Sequence, residues 1–268
     1  MAPAPAAGAA GRRATSFIPL ATLAFSSAGG RPGPAAQYPL PLPALAGQPP
    51  RELVASSPTW HVQLLRLLFQ LVLTPELVVY PPRSLAAHTQ LPVPAVQQVL
   101  RSLSEQGFWL PDAPLGTSPL RLPAPAQYWL AHYGSVLRRR LNAQRYRPRH
   151  PTTLADWAAG GLPAGCLWSG EAAAQLLLGR PLPTAGFLTL CSQVPRPQLV
   201  PRLGLVPAPK GPIEILNAFA PPIGSASPDP RCVPPLLVYA DLLASPPPAA
   251  PTLAQELRTR YLAELLGC

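Results

Sequence analysis

Gln97, Gln98 and Arg101 are residues able to read nucleic acid. A glutamine amide matches the donor–acceptor edge of adenine, and an arginine matches guanine or a phosphate. They lie between Val96, Val99, Leu100 and Leu103, whose i, i+3, i+4, i+7 spacing makes one apolar stripe. The spacing predicts a helix over Pro94–Gln106 that buries the stripe and turns the glutamines and the arginine outward. Arg83, Ser84 and Thr89 precede it and offer a cation and two hydroxyls to phosphate oxygens. Arg121 and the run Arg138, Arg139, Arg140, followed by Arg145, Arg147 and Arg149, add further phosphate contacts. The competing reading of that run is a solvated helix end, where cations also suit the helix dipole.

Other residue types point elsewhere. Glu171, Glu214 and Asp241 are carboxylates in apolar surroundings. Brought together, they would hold a magnesium ion for phosphoryl or nucleotidyl chemistry. No Gly-rich phosphate loop, paired D-x-D or G-x-S-x-G pattern accompanies them. The preferred reading is structural: Glu171 at a helix N-terminus, Asp241 capping a helix or pairing with an arginine. His88 reads as a surface or DNA-facing residue. Cys166, Cys191, Cys232 and Cys268 form no C-x-x-C pair, and His61, His88, His132 and His150 are equally scattered. No metal site, cofactor or catalytic residue is expected, and the chain reads as a reduced, cytoplasmic protein rather than an enzyme.

The elements that must position these groups follow from punctuation. Thr59–Leu73 is apolar on most sides, as a helix buried in a small core would be, and Pro75 ends it. Arg83–His88 makes a short second helix with Ser84 as N-cap, and Thr89–Val93 is the turn into the third. Gly107 is its left-handed cap. Phe108–Leu110 and Leu120–Leu122 read as two wing strands around the turn-rich Pro111–Pro119. Three helices closed by a hairpin are the layout of a winged helix-turn-helix. The expected fold is α+β: residues 58–122 a winged helix-turn-helix DNA-binding domain, residues 123–268 an α+β C-terminal domain. That domain opens on a connecting helix over Ala126–Leu141. A turn leads into a helix over Leu167–Leu177; strands follow over Gly186–Cys191, Leu203–Pro207 and Ile213–Phe219. Val233–Leu243 begins a helix or a strand-to-helix passage, and Thr252–Leu266 is an amphipathic terminal helix.

Charge is distributed unevenly. The 268 residues carry 21 basic and 11 acidic groups, a net +10. Residues 58–150 hold ten arginines against Glu76, Glu105 and Asp112, whereas residues 151–268 hold seven of each sign. The excess therefore sits on the helix-turn-helix and the segment after it, the footprint of a nucleic-acid binder. Residues 1–57, rich in Pro, Ala and Gly, are expected to be disordered. Alternative readings of them are a weak secretory signal from Arg12 to Ala28, in which Pro19 interrupts the apolar part, or the remnant of another domain. No apolar run is long enough to span a membrane.

The run from Arg83 to Gly107, then LPAPAQYWLAHYGSVLRRRL, LWSGEAAAQLLLGRPLP, GPIEILNAF and VPPLLVYADLL with a closing helix, resembles the AbiEi-type antitoxins of type IV toxin–antitoxin systems. The more specific pieces are Trp168–Ala173 and Val238–Leu242. The resemblance runs from about residue 58 to the C-terminus. It implies a transcriptional regulator that binds double-stranded DNA at its own operator and represses its operon through the winged helix. It also implies a nucleotidyltransferase-type toxin, countered without a stable complex. Where relatives often carry an upstream nuclease-like domain, this chain has its Pro/Ala-rich segment. Two alternatives stand beside this reading. One is a protein-interaction module with a degenerate winged helix; the other is a metal-dependent nucleotidyl or phosphodiester enzyme, which convergence of Glu171, Glu214 and Asp241 would favour.

Overall fold

Prolines start many of the helices. In the computed structural model they occupy the first turn of helix after helix, where a missing N–H leaves no hydrogen bond unmade. The structure describes residues 58–110, 120–183, 186–220, 226–245 and 251–267. Expectations for residues 1–57, for the turn-rich 111–119 and for Cys268 lie outside the described residues.

Helix α1 (Pro58–Leu73) buries Leu64, Leu65, Leu67, Leu68, Phe69, Leu71 and Val72. A 3-10 turn, Pro75–Val79, leads to α2 (Pro82–Thr89). Its N-cap position is Pro81 rather than Ser84, and no side chain caps it. Gln90, left-handed at φ 55°, turns the chain into α3 (Val93–Glu105). Here Ala95, Val96, Val99, Leu100 and Leu103 face inward, the expected stripe with Ala95 added. Gly107 leaves the helix at φ +70°. Beyond it Trp109 pairs antiparallel with Leu120, and Arg121 N–H donates to the Phe108 carbonyl at 2.8 Å.

The connecting helix is shorter than its sequence suggests. Helix α4 (Ala124–His132) gives way to a π-helical turn, Tyr133–Leu137, and then a 3-10 turn, Arg138–Arg140. Strand β1 (Gln144–Pro148) follows within the basic run, where no strand was expected. Helix α5 (Leu154–Ala159) starts at Thr153, whose hydroxyl accepts from Asp156 N–H at 3.1 Å. Strand β2 (Cys166–Ser169) then runs directly into α6 (Gly170–Leu177). Next come β3 (Leu188–Ser192), α7 (Arg196–Arg202), β4 (Leu205–Pro207) and β5 (Ile213–Asn217). Helices α8 (Pro235–Ala244), α9 (Pro251–Tyr261) and α10 (Ala263–Leu266) close the chain.

The sheet order is β2-β3-β5-β1-β4. Only the β3–β5 pair is parallel; the other neighbours run antiparallel. With ten α-helices and this five-stranded sheet among the described residues, the fold is mixed α+β. Alternation divides the sheet. Tyr146, Ile213, Ile215, Leu188 and Leu190 share one buried face, and Arg145, Glu214 and Thr189 lie in register on the other. Aromatic packing ties α1 to the sheet. Phe69 lies 4.9 Å from Trp129 and 5.0 Å from Phe219, ring centre to ring centre, and Trp129 Nε1–H donates to the Leu65 carbonyl at 3.0 Å.

Candidate nucleic-acid interface and a buried ion network

The buried stripe of α3 leaves Pro94, Gln97, Gln98, Arg101 and Glu105 exposed on the opposite side. Arg83, Ser84, Ala87, His88 and Gln90 are exposed along and after α2. Arg121 is exposed beside the Trp109–Leu120 pair, and Arg139 and Arg140 are exposed on the 3-10 turn. Sequence reasoning passed over Val79 and Tyr80. They stand 66% and 49% exposed just before α2, adjoining Arg83. Their only signal is a pair of large apolar residues next to Pro81 and Pro82 in a helix-breaking turn.

Two expected phosphate contacts face inward instead. Thr89 is buried, and its hydroxyl donates to the Leu85 carbonyl at 2.7 Å. That carbonyl sits one turn back along α2, so the hydroxyl is committed within its own helix. Arg138 is the other. Its Nε–H donates to Asp241 Oδ1 at 3.1 Å, and its Nη2 meets Glu214 Oε2 at 2.6 Å. Of the three consecutive arginines, this one turns into the protein.

Asp241 lies at the centre of that network. It is fully buried on α8 and takes three donors: Tyr133 Oη–H at 2.7 Å and Arg138 Nε–H on Oδ1, and Ser169 Oγ–H at 2.5 Å on Oδ2. Each donor comes from a different stretch: the π-helical turn, the 3-10 turn and the end of β2. Burial pushes the Asp241 carboxyl above the ordinary aspartate value, against the opposing pull of Arg138 and the hydroxyl donors. Burial and the charge of Asp241 push the Tyr133 phenol well up. Burial opposes the Arg138 charge, but Asp241 and Glu214 outweigh it and raise the guanidinium further. Burial pushes the adjacent Cys191 thiol well up, leaving it a poor nucleophile.

Ser169 reaches Asp241 because the chain turns sharply from β2 into α6 at Gly170. That residue sits at φ +53°, and a Cβ there would stand 3.2 Å from Thr189 Oγ1. Glu171, next along, takes no part in the network. Its Oε2 lies 3.4 Å from the point a Gly186 Cβ would occupy, and burial pushes its carboxyl up. Asp241 and Glu214 are therefore brought together by an arginine, not by a shared metal position. No group of three His, Cys, Asp or Glu residues able to hold a metal ion occurs among the described residues. The expected pairing of Asp241 with an arginine is what the structure contains.

A third cluster sits where α4 meets α1. Tyr128 Oη is 3.3 Å from His61 Nε2, the Tyr128 and His132 rings stack at 4.2 Å, and the two histidine rings lie 5.2 Å apart. Burial, and then the charge of His132, lower the His61 pKa. Among the described residues no helix is long and apolar enough to cross a membrane.

No curated protein and no solved structure matches the chain. A family model described as transcriptional regulator, AbiEi antitoxin, type IV toxin–antitoxin system, matches residues 126–263, just over half of the chain. The matched stretch spans most of α4, the whole sheet and the Tyr133–Arg138–Ser169–Asp241 network. The chain thus belongs to the AbiEi antitoxin family of transcriptional regulators of type IV toxin–antitoxin systems.

Proposed function

We propose that the chain is a DNA-binding repressor of its own operon and counters a nucleotidyltransferase-type toxin without forming a stable complex with it. Residues 58–122 act as a winged helix-turn-helix, and residues 123–268 as the antitoxin-like domain with its connecting helix. The observation that carries the DNA reading is α3. Gln97, Gln98 and Arg101 stand exposed opposite a stripe that is buried throughout. A helix anchored this way presents polar side chains to a major groove without disturbing its own core.

In this reading Gln97, Gln98 and Arg101 meet base edges, while Arg83, Ser84 and Tyr80 meet phosphates beside α2. Arg121 lies on the wing, and Arg139 and Arg140 add backbone contacts. Arg138 and Thr89 are left out, because their polar atoms are already committed. Occupying the operator blocks transcription by occlusion, in the cytoplasm where the DNA lies. Membership of a regulator and antitoxin family supports the role. The shared bonding of Glu214 and Asp241 to Arg138 supports a structural role for these two carboxylates.

A gel-shift titration with the DNA upstream of the protein's own gene, with excess unrelated competitor at two salt concentrations, tests this. Competitor-resistant binding at both is the expected result. Binding abolished by competitor and moderate salt would leave only a basic surface and overturn the proposal.

A further inference from the structure

The sheet face that carries Glu214 is closed at one end and open at the other. At the closed end the Asp241–Arg138–Glu214 chain covers it. Arg145, opposite Glu214 in register, begins the open end. Its guanidinium lies 4.3 Å over the ring of Phe187, the residue just before β3. Arg147, two residues further on, shares the Arg145 face and is exposed. Beside it lies an open depression of about 510 Å3, lined by Arg147, Lys210, Gly211 and the apolar Ala208, Pro209 and Pro212.

This end is built tightly. A Cβ at Gly211 would stand 2.1 Å from the Tyr146 carbonyl oxygen, so the turn carrying Lys210 is pressed against β1. Gly211 N–H donates to the Ala208 carbonyl at 2.8 Å, and Ala208 N–H to the Arg145 carbonyl at 3.0 Å. These bonds fix Lys210 beside Arg147. Neither cation has a carboxylate partner among the described residues. Five of the seven acids of residues 151–268 are engaged elsewhere: Glu214 and Asp241 with Arg138, Asp229 with Arg231, Glu256 with Arg180, and Asp156 with Thr153.

Two unpaired cations beside a small apolar hollow, next to an aromatic ring already layered with a guanidinium, suit one ligand chemistry. It is a phosphodiester carrying a flat base that is free to stack. A duplex hides its base faces and leaves such a platform unused. We propose that the open end of this sheet face binds single-stranded nucleic acid, with a base stacked against the Phe187–Arg145 pair and its phosphate held by Arg147 and Lys210. The site is separate from α3 and does not depend on the duplex-binding role assigned to that helix.

The test is fluorescence anisotropy of the full chain with labelled single strands of about ten nucleotides, one RNA and one DNA of the same sequence, at fixed salt. Three variants accompany the parent: Arg147→Ala/Lys210→Ala, Phe187→Leu, and Gln97→Ala/Arg101→Ala. The cation variant is expected to weaken single-strand binding about tenfold or more, and Phe187→Leu severalfold, with Phe187→Tyr restoring it. The α3 variant binds single strands like the parent while losing duplex DNA, so failure of the two proposals is told apart. Tighter binding of the RNA or of the DNA identifies which strand the site takes. Parent and cation variant binding alike, no single-strand binding by the parent, or loss only in the α3 variant would each overturn the proposal.

Discussion

Arg138 and Asp241 show how much one side chain's direction decides. A buried carboxylate held by an arginine, a tyrosine and a serine joins four segments of chain. Removing the Asp241 carboxylate leaves Arg138 with Glu214 alone and strips Tyr133 and Ser169 of their buried acceptor. Asp241→Ala is therefore expected to destabilise the fold by about 3–5 kcal/mol, measured by denaturant unfolding. A loss within about 0.5 kcal/mol, the range of surface substitutions, would show that the network contributes nothing. The His61–Tyr128–His132 cluster makes a pH prediction. The folded state holds the His61 pKa below the ordinary value of 6.5, so the unfolded chain takes up the proton more readily. The associated stability is present above 6.5 and is lost as pH falls through the lowered value. The thermal midpoint should fall more steeply with acidification for the parent than for His61→Gln; parallel curves would contradict the assignment. Thr89→Val should leave DNA affinity unchanged, because its hydroxyl already serves the Leu85 carbonyl; weakened binding in a duplex titration would return Thr89 to the interface.

At the scale of elements, legibility followed periodicity. α1 and α3 could be read because their apolar residues recur at helical spacing, and the stripe Val96, Val99, Leu100, Leu103 is buried as that spacing requires. The stretch Ala126–Leu141, expected as one helix, is broken up because a π-helical turn changes the angle per residue just before the arginines. A helical wheel carried through Tyr133–Leu137 therefore misplaces Arg138 relative to Arg139 and Arg140. Strand β1 was hidden by its own residues: apart from Tyr146, none of Gln144–Pro148 is of the β-branched or aromatic types enriched in strands, and only Tyr146 turns into the core. Pairing with β5 and β4, distant in sequence, is what makes it a strand. Short α5 and α7 lacked enough turns for a pattern to show. Ser84 was mistaken for a cap because the proline two residues before it starts the helix earlier. The α3 reading carries its own prediction. Arg101→Ala should weaken operator binding by about 1–3 kcal/mol at one fixed salt concentration, and an equal affinity would remove Arg101 from the base contacts.

Across the whole molecule, charge and fold divide the work. The acids of residues 151–268 are spent largely on internal or local pairs, while Arg83, Arg101, Arg121, Arg139 and Arg140 stay exposed. Binding led by phosphate contacts releases counterions, so affinity should fall steeply with salt, by about 0.9 in log K per phosphate for each log unit. The base contacts add a part that salt and unrelated DNA do not remove. Under the proposed function, that part resides in α3. The most direct measurement is a titration of the DNA upstream of the protein's own gene, under excess unrelated competitor. It compares the parent with a Gln97→Ala/Gln98→Ala/Arg101→Ala variant. The account predicts that the parent holds this DNA against the competitor and that the variant loses about tenfold or more in affinity while still folding. Parent and variant binding the upstream DNA equally well would contradict it.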